Sequence, residues 1–373
     1  MNDNGRWLLK LIEQNPSISQ NELSKLTGLS RSTIAGYIST FMKQGQIIGR
    51  AYVLPKKNGV VSIGGANIDR KHQIEKELHL GTSNPAKTYF STGGVARNIA
   101  ENIGRMGISN SLISVVGNDH EGKWLLEETI PYVDIEHITT VPNASTGAYS
   151  AVLNKEGEMV IALADMDIYD EVDIEFVKRK WGMISSAQMV FLDTNFSKEV
   201  IQYVLSRCKE EMIPVTVAPV SAPKCEKLPR NLSGISWLIA NKEEVEALVG
   251  MKMTKQADFF KAAEQLTQRG VERVVITRGE EGGFFYSKEG TSSILLPPRI
   301  KVVDVTGAGD ALVAGVIFGH INGLNPIDAV GMGLACSCIT LQSNETVSKE
   351  MSKETLQEAF KMYKEGVNDG KVD

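Results

Sequence analysis

The sequence predicts an α/β protein in which a large parallel-sheet domain follows a small helical domain. From residue 60 onward, short apolar runs rich in β-branched residues alternate with amphipathic helical segments. This alternation is typical of a parallel sheet covered on both faces by helices. A polar linker rich in helix breakers lies at residues 55–59. We therefore predict a small domain over residues 1–54 and a large domain over residues 60–373.

The composition is that of an ordinary globular protein. The chain has 373 residues, of which 42% are hydrophobic and 23% are charged, and this length suffices for one large and one small domain. No apolar run reaches membrane-spanning length, and the N-terminus lacks the apolar segment of a signal peptide. We therefore expect a cytoplasmic protein with no membrane partner. The four cysteines form no recognisable metal-ligand pattern, so we expect reduced structural thiols.

Charge is distributed unevenly between the two predicted domains. Residues 1–57 contain eight Lys or Arg and three Asp or Glu, whereas the remainder contains 32 basic and 42 acidic residues. The first region therefore has a net charge of about +5 and the second has about −10. A basic domain joined to an acidic one indicates that the basic domain has a partner of its own, for which nucleic acid is the first candidate.

The small domain contains three helical patterns followed by two short β-like runs. Apolar residues between positions 7 and 12 mark the first helix, and the S-x-x-E sequence at residues 19–22 is a capping box that opens the second. Ser30 can cap a third helix, which has one apolar face and one polar, basic face. The β-like runs follow at residues 45–50 and 51–54.

This order of elements resembles a winged helix-turn-helix domain. The resemblance implies that the third helix enters the major groove of duplex DNA, and that Arg31, Lys43 and Arg50 contact phosphates or base edges. Winged-helix proteins often form homodimers that meet two half-sites, so a homodimer is expected. The alternative is a small helical module for dimerisation or for docking onto the large domain.

The large domain shows clear apolar strands and amphipathic helices. We predict strands at residues 60–63, 111–116, 189–193, 215–217, 237–240 and 273–277. We predict helices between them at residues 95–106, 198–209, 242–249 and 259–269. In parallel sheets of this kind, ligands bind at the carboxyl ends of the strands. The polar residues that end the strands are therefore the candidate functional residues.

The most informative segment of the chain is D-V-T-G-A-G-D, which begins at Asp304. In it, Gly307, Ala308 and Gly309 precede an apolar helix that has Asp310 in its first turn. Small residues allow backbone N–H groups to converge on one point, and the helix dipole favours a phosphate there. A carboxylate beside that point can accept the proton of an attacking hydroxyl group. The alternative is a Gly-rich turn in which Asp310 only interacts with the helix dipole.

Two further motifs place amide and carboxylate groups near strand ends. Asn67 and Asp69 follow the first strand and alternate onto one side, as the binding of a sugar diol requires. Gly93 and Gly94 then open a helix, in which Asn98 lies one turn later. The glycines permit a ligand to approach the backbone closely, although a simple turn with a helix N-cap would show the same pattern.

Taken in order, these motifs resemble those of the ribokinase-type (PfkB) carbohydrate and nucleoside kinases. The shared series is N-x-D at 67–69, G-G-x-x-x-N at 93–98, N-x-x-E at 241–244, T-x-G at 277–279 and D-x-T-G-A-G-D at 304–310. The resemblance extends from residue 60 to the C-terminus. It implies a ribokinase-like αβα fold with a small β lid, and ATP-dependent transfer of a phosphoryl group to an alcohol.

The resemblance also implies roles for individual residues. Asp310 would be the catalytic base, and the anion hole for the transferred phosphoryl group would consist of Gly307, Ala308 and Gly309. The residues that hold the acceptor would be Asn67, Asp69, Gly93, Gly94, Asn98 and Glu158. The residues that bind ATP would be Asn241, Thr277, Gly279, Gly307 and Gly309.

The same resemblance implies two metal ions. Asn241 and Glu244 would orient Mg²⁺ and its waters near the ATP phosphates. Asp304 would be a ligand for K⁺, because many members of the family bind potassium beside this loop. Asp304 would equally serve to cap the turn, and the sequence leaves both roles open.

Three segments resemble the pseudouridine kinase branch of the family, at residues 81–85, 98–102 and 164–169. This resemblance implies that the acceptor is the 5′-hydroxyl group of pseudouridine. Lid segments would cover its base, and the polar residues available to read the base edge are Ser83, Asn84, Asp165 and Asp167. One alternative acceptor is ribose, another nucleoside or a related furanose sugar. A different alternative is a transcriptional regulator that uses the kinase domain as a ligand sensor.

Overall fold

The computed structural model describes residues 3–16, 18–48 and 58–369 of the chain. Its N-terminal part consists of α1 (Asp3–Gln14), α2 (Gln20–Thr27) and α3 (Arg31–Lys43). The apolar faces of these helices enclose a small core formed by Leu8, Ile12, Ile18, Leu23, Ile34, Ile38, Phe41 and Ile47. Residues 45–48 form no strand, and the rest of the predicted wing, including Arg50, lies outside the described residues.

Local sequence explains where these helices begin and end. The Glu22 amide donates to Ser19 Oγ, and the Ser19 amide donates to the Glu22 carboxylate at 2.8 Å, which is the predicted capping box. Gly28 ends α2 in the left-handed conformation, with φ of 71°, a conformation that glycine adopts most readily. Ser30 caps α3 by accepting a hydrogen bond from the Thr33 amide. The three predicted helices are therefore present with the predicted caps.

The larger part of the described chain, residues 58–369, alternates strands and helices. The strands are β1 (Asn58–Ile63), β2 (Asn67–Ile74), β3 (Ala86–Gly93), β4 (Asn110–Ile113), β5 (Val115–Gly117), β6 (Thr139–Val141), β7 (Ala148–Leu153), β8 (Met159–Asp165), β9 (Ala187–Asp193), β10 (Val215–Ala218), β11 (Ile235–Asn241), β12 (Arg273–Thr277), β13 (Gly283–Ser287) and β14 (Ser292–Leu295). The helices are α4 (Val95–Arg105), α5 (His120–Thr129), α6 (Ile174–Arg179), α7 (Trp181–Ser185), α8 (Lys198–Glu210), α9 (Lys242–Val249), α10 (Gln256–Gln268), α11 (Ala308–Ile321), α12 (Pro326–Leu341) and α13 (Lys353–Asp369). Among the described residues, no helix is both long enough and apolar enough to span a membrane.

The main sheet has eight strands in the order β14-β13-β12-β11-β10-β9-β1-β4. The strands from β12 to β4 are parallel, as the sequence predicts. At the other edge, β13 and β14 are antiparallel, because the short turns that precede them leave no room for the long crossover between parallel neighbours. The predicted strand at 111–116 is divided into β4 and β5, and β5 pairs with β6 outside the main sheet.

Helices cover both faces of the main sheet, so that strand side chains alternate between two apolar cores. Leu192 faces one core and its neighbour Phe191 faces the other. In the second core, α11 and α12 pack closely because small residues lie between them. A Cβ atom on Gly315 would lie 2.8 Å from the Gly333 Cα. This packing fixes the position of α11, whose first turn contains Asp310.

A second sheet, with strand order β3-β2-β7-β8, forms a lid. β2 is antiparallel to β3 and parallel to β7, and β8 closes the sheet as an antiparallel partner of β7. Only residues 64–66 separate β1 from β2, so the lid is attached at the carboxyl end of the main sheet. The predicted fold class, an αβα domain with a small β lid, is confirmed.

Candidate active site

The candidate site lies at the carboxyl end of the parallel strands, where α4 and α11 begin. Asn98 Nδ2 on α4 donates a hydrogen bond to Asp310 Oδ2 on α11 at 2.9 Å. This contact joins two motifs that are more than two hundred residues apart in the sequence. The site is therefore built between the first turns of two helices.

Asn67 and Asp69 lie on β2, on the lid side of the site. Asn67 Nδ2 donates to Asp69 Oδ1 at 2.8 Å. A Cβ atom on Gly93 would lie 2.3 Å from Asp69 Oδ2, so this position requires glycine while the carboxylate keeps its place. Burial raises the pKa of Asp69 to about 6, against the opposing effect of the Asn67 hydrogen bond. The structure thus brings together three of the predicted acceptor-binding residues.

The start of α4 is in direct backbone contact with the loop that follows β1. Gly94 has φ of 97°, and a Cβ atom there would lie 2.5 Å from Gly65 O. The buried Asp193 carboxylate joins the two segments, because its Oδ2 accepts from the amides of Gly65 (2.8 Å) and Ala96 (3.3 Å). Burial raises the pKa of this carboxyl group. Sequence analysis missed Asp193, although it ends a predicted strand and so met the criterion for a candidate.

Arg97 is a second residue that the sequence analysis missed. It is buried on α4, pairs with Glu101 and donates through Nη1 to Asn98 Oδ1 at 3.2 Å. One sequence signal could have indicated Arg97: it and Glu101 are opposite charges one turn apart, among the apolar positions of the predicted helix. Buried charges beside a site are candidates for a functional role.

α11 begins immediately after Gly307, whose φ of 79° is left-handed. A Cβ atom on Gly307 would lie 1.9 Å from a neighbouring backbone oxygen, so the turn requires glycine. The first α-helical bond joins the Ala311 amide to Gly307 O at 2.9 Å, whereas the Ala308 amide makes only a long contact of 3.4 Å. Within the described residues, the amides of Gly309 and Asp310 have no backbone acceptor. Free N–H groups thus lie at the positive end of the helix dipole.

Asp310 has a strongly perturbed carboxyl group. Burial raises its pKa to about 7, and the nearby carboxylates of Asp69, Asp193 and Glu244 contribute to the increase. The hydrogen bond from Asn98 opposes it. A carboxyl group that titrates near neutrality is suited to accept a proton from a hydroxyl group at physiological pH. A positioned base beside free amides is an arrangement that phosphoryl transfer can use.

Asp304, at the other end of the same loop, has a different environment. Its Oδ1 accepts from the Thr306 amide at 2.8 Å and hydroxyl group at 2.7 Å, and its Oδ2 accepts from Lys71 Nζ at 3.0 Å. Burial acts against ionisation, but these hydrogen bonds hold the pKa of Asp304 below its ordinary value. Because both oxygens are engaged and an ammonium group lies beside them, K⁺ does not fit there while Lys71 is in place. Of the two roles expected for Asp304, the structure shows the turn cap.

One cavity lies beside the start of α11, and a second lies beside the start of α9. The first, of about 910 Å³, is lined by Thr277, Gly279 and Gly309 and by apolar side chains of α11 and α12. The second, of about 460 Å³, shares Thr277 and Gly279 with the first and is also lined by Asn241. Gly307 precedes α11 and is not among the lining residues of either cavity. Of the predicted ATP-binding residues, Asn241, Thr277, Gly279 and Gly309 line one or both cavities.

Asn241 and Glu244 cap the start of α9 reciprocally. Asn241 Oδ1 accepts from the Glu244 amide at 2.8 Å, and Glu244 Oε2 accepts from the Asn241 amide at 2.9 Å. Burial raises the pKa of Glu244 to about 7, and its Oε1 accepts no hydrogen bond from the described residues. A carboxylate oxygen without a partner, on a residue bonded to Asn241 at the edge of the second cavity, suits a hard divalent cation. These residues therefore fit the expected Mg²⁺.

The remaining acceptor candidates lie elsewhere on the lid. Glu158 is in the exposed turn between β7 and β8, at the opposite end of the lid from Asp69, and its carboxylate accepts from Asn154 Nδ2 at 3.0 Å. The structure does not bring Glu158 to the site. Two of the base-reading candidates, Ser83 and Asn84, lie in the loop between β2 and β3. The other two are Asp165, the last residue of β8, and Asp167, which follows that strand.

The predicted DNA-contacting residues that the structure describes are at the two ends of α3. Arg31 opens the helix and Lys43 closes it, and both side chains are exposed. The opposite face of α3 packs into the core through Ile34 and Ile38. α3 therefore presents a polar face to solvent and has one exposed basic residue at each end.

The fold and the site define an ATP-using phosphotransferase that acts on an alcohol group. The family described as pfkB family carbohydrate kinase matches residues 57–363. The chain belongs to this family and is a sugar or nucleoside kinase. Residues 1–48 match a winged helix-turn-helix DNA-binding family, which confirms the class of the N-terminal domain.

Individual relatives agree with this assignment. The uncharacterized sugar kinase YeiI of Escherichia coli (strain K12) is 30% identical over 353 residues, which cover 94% of this chain and 97% of the relative. The pseudouridine kinase of the same strain is 34% identical over 298 residues, covering 80% of this chain and 95% of the relative. A solved carbohydrate kinase from Agrobacterium tumefaciens is 29% identical, with a TM-score of 0.69 over 82% of this chain and 97% of that one.

Proposed function

We propose that this kinase transfers the γ-phosphoryl group of ATP to the 5′-hydroxyl group of pseudouridine. The observation that supports the transfer step is the hydrogen bond between Asp310, the predicted base, and Asn98, one of the predicted acceptor-binding residues. The choice of acceptor is supported by the three branch-like segments and by the similarity to the E. coli pseudouridine kinase.

In this mechanism Asp310 accepts the proton of the 5′-hydroxyl group as its oxygen attacks the γ-phosphorus atom. A new O–P bond forms, the bond to the β,γ-bridging oxygen breaks, and ADP leaves. A primary alcohol is a poor nucleophile at neutral pH, so a positioned base increases the rate by about 10²–10⁴-fold. Asp69, supported by Asn67, binds the ribosyl hydroxyl groups, and Asn98 contacts both the sugar and Asp310.

The free amides at the start of α11 stabilise the charge on the transferred phosphoryl group. In this proposal Gly307, Ala308 and Gly309 form the anion hole, in which the Gly309 amide has no backbone acceptor among the described residues and the Ala308 amide makes only the 3.4 Å contact. The nucleotide lies in the cavities lined by Asn241, Thr277 and Gly279. Asn241 and Glu244 would hold Mg²⁺ through water, and the bound ion would neutralise part of the charge of the ATP phosphates. No step requires K⁺ at Asp304.

The lid supplies the surface that recognises the base. Asp69 pairs with Tyr149 and Lys71 pairs with Tyr89 in strand register, so both tyrosines share the lid face that carries Asp69. Aromatic rings on that face can pack against a base, while the polar residues of the adjoining loops read its edge. Pseudouridine differs from uridine by a carbon–carbon glycosidic bond and one additional ring N–H. A site that hydrogen-bonds this N–H rejects the analogue without it.

A substrate panel tests the acceptor. ADP formation is measured with pseudouridine, uridine, inosine, ribose and fructose, and the product is identified by phosphorus NMR. We expect the highest kcat/KM with pseudouridine and phosphorylation at the 5′ position. A higher kcat/KM with ribose or fructose would contradict the proposed acceptor, while phosphorylation itself would stand.

We also propose that the N-terminal domain binds duplex DNA. The supporting observations are the winged helix-turn-helix match at residues 1–48 and the exposed basic residues at the two ends of α3, Arg31 and Lys43. Mobility shifts on the DNA upstream of the coding sequence, at increasing salt, provide the test. Lys43→Ala should reduce the slope of the logarithm of the binding constant against the logarithm of the salt concentration by about one. The reason is that a variant with one phosphate contact fewer releases fewer counterions from the DNA when it binds. Lys10→Ala on α1 is the control. If the protein binds no duplex at low salt, the result would contradict DNA binding and favour the alternative that the N-terminal domain is a docking or dimerisation module.

We further propose that the kinase is a homodimer. On the lid face opposite Asp69, Phe90 pairs in register with Arg70, and Leu163 lies on the same face. Their side chains are 57% and 59% exposed, so the lid presents an apolar surface that a second copy can cover. Sedimentation should give a dimer for the wild type and a monomer for Leu163→Ser. A monomeric wild-type protein at micromolar concentration would contradict the proposal.

A further inference from the structure

α4 contains a buried cluster of charges beside the base. Arg97 is 3% exposed and Glu101 is 4% exposed. Glu101 pairs with Arg97 through one carboxylate oxygen and with Arg105 through the other, the latter at 2.7 Å. Burial of charged groups has a desolvation cost that ion pairing offsets only in part, so stability alone gives a weak explanation for the cluster.

The cluster reaches Asp310 through a single side chain. Arg97 Nη1 donates to Asn98 Oδ1 at 3.2 Å, and Asn98 Nδ2 donates to Asp310 Oδ2 at 2.9 Å. The guanidinium group is itself held by Thr129 Oγ1 at 3.3 Å and by Thr92 O at 3.4 Å. A guanidinium group has donors and no acceptors, so it is satisfied only when the amide oxygen of Asn98 faces it.

We infer that Arg97 is a positioning residue for the base, which fixes the Asn98 amide so that its nitrogen, and not its oxygen, faces Asp310. The inference rests on the proposed role of Asp310 in phosphoryl transfer. Without Arg97, the amide can rotate by half a turn and present its oxygen to the carboxylate. That orientation favours the protonated carboxyl group, which cannot accept the proton of the acceptor hydroxyl group.

Charged groups on the other elements around Asp310 do not provide the same control. Asp69 on β2, Asp193 on β9 and Glu244 on α9 all raise the pKa of Asp310, whereas the hydrogen bond from Asn98 lowers it. On α12, the one charged residue is Asp328, which pairs with Lys364 at the first turn of that helix. The thiols of α12 stay neutral because burial raises the pKa of both, Cys336 and Cys338.

Arg97→Met and Arg105→Met form a matched pair for the test. Each removes one arginine from α4 and one of the two partners of Glu101, but only Arg97 contacts Asn98. The dependence of kcat on pH is measured with the acceptor that gives the highest kcat/KM. We expect the acid limb of Arg97→Met to move upward by about one pH unit, and that of Arg105→Met to coincide with the wild type.

The double variant with Asn98→Ala separates positioning from a general effect of charge. In that background Arg97→Met should cause no further shift of the acid limb, because the amide it orients is already absent. Each of three results would overturn the inference. They are an unshifted acid limb in Arg97→Met, equal shifts in both arginine variants, and an additive shift in the double variant.

Two further controls keep the result interpretable. If Arg97→Met does not fold, Arg97→Lys replaces it, because lysine retains the charge and the pair with Glu101 but lacks the planar set of donors. We expect a smaller shift of the acid limb in the same direction. An unshifted acid limb in Arg97→Lys would overturn the inference. Failure of the wild type to phosphorylate any acceptor would contradict the proposed function. Phosphorylation with an unmoved limb would contradict only the role of Arg97.

Discussion

The two ends of the loop between Asp304 and Asp310 place similar carboxylates in opposite environments. Asp304 accepts three hydrogen bonds, from Thr306 and Lys71, and its pKa lies below the ordinary value. Asp310 accepts one, from Asn98, and burial raises its pKa to about 7. The comparison shows that burial and the number of donors, rather than membership of one motif, decide which carboxylate anchors the loop and which can exchange a proton.

The largest expected effect is the loss of turnover in Asp310→Asn. This change removes the proton acceptor while keeping the size of the side chain, so kcat should fall at least about a hundredfold with acceptor affinity largely retained. Asp304→Asn is the matched control, and its kcat should fall less than about tenfold because it loses a turn cap rather than the base. Steady-state kinetics of the two variants measure the difference. Turnover near the wild-type level in Asp310→Asn would remove Asp310 from the mechanism.

The comparison also predicts how activity depends on pH. Proton transfer requires ionised Asp310, so kcat/KM should decrease as the pH falls below about 7, the value to which burial raises its pKa. The raised pKa of Asp69, about 6, steepens the decrease at lower pH. A profile from pH 8 to 5 measures this, and Asp304→Asn should decline over the same range. A constant kcat/KM over that range would be incompatible with a base that titrates near neutrality.

Lys71 tests the anchored end of the loop. Lys71→Met removes the ammonium group that joins lid and loop, so we expect kcat to fall by about fivefold, a loss of roughly 1 kcal/mol. Arg70→Met is the control on the same strand, since Arg70 pairs with Glu121 at 2.7 Å on the opposite face of the lid. Kinetics of both variants at saturating ATP provide the measurement. Equal losses in the two variants would mean that the lid is sensitive to any lost ion pair.

The smallest effect concerns stability. Because the pKa of Asp310 is raised by folding, the folded protein keeps a proton that the unfolded chain releases. The contribution of Asp310 to the free energy of unfolding therefore decreases as the pH rises from about 4 to 7. Asp310→Asn should therefore raise the Tm at pH 7.5 by about 2–4 °C and have little effect near pH 4. Asp304→Asn should lower the Tm at pH 7.5, because the carboxylate hydrogen bonds are weakened. Thermal unfolding at both pH values checks the two signs, and a lower Tm for Asp310→Asn would contradict the first.

Local patterns sufficed to predict much of the fold and part of the site. The caps of α2 and α3, the parallel strands and the loop before α11 all depend on residues close in sequence. Gly93 and Gly307 were also predicted from local sequence, because each lies in a run of small residues that is typical of a tight turn before a helix.

The contacts that the sequence analysis missed join distant segments. Lys71 and Asp304 are 233 residues apart, and Gly65 and Asp193 are 128 apart. No local pattern indicates such partners, because they depend on which strands become neighbours in the sheets. For the same reason the sequence did not predict that β13 and β14 extend the sheet in the antiparallel direction. The sequence likewise did not indicate how far Glu158 lies from Asp69, because that distance depends on the length of the lid hairpin.

The backbone contact between Gly94 and Gly65 has a consequence for how this enzyme can diversify. Main-chain atoms of the two segments are in direct contact at Gly94, and the Asp193 carboxylate accepts from an amide of each segment. The spacing between β2, which carries Asp69, and α4, which carries Asn98, is therefore set largely by the backbone. Substitutions elsewhere in the cores can accumulate without altering that spacing. The lid, in contrast, faces the proposed acceptor site with side chains on largely exposed strands. New acceptor preferences can therefore evolve through lid substitutions while the geometry of phosphoryl transfer is inherited unchanged.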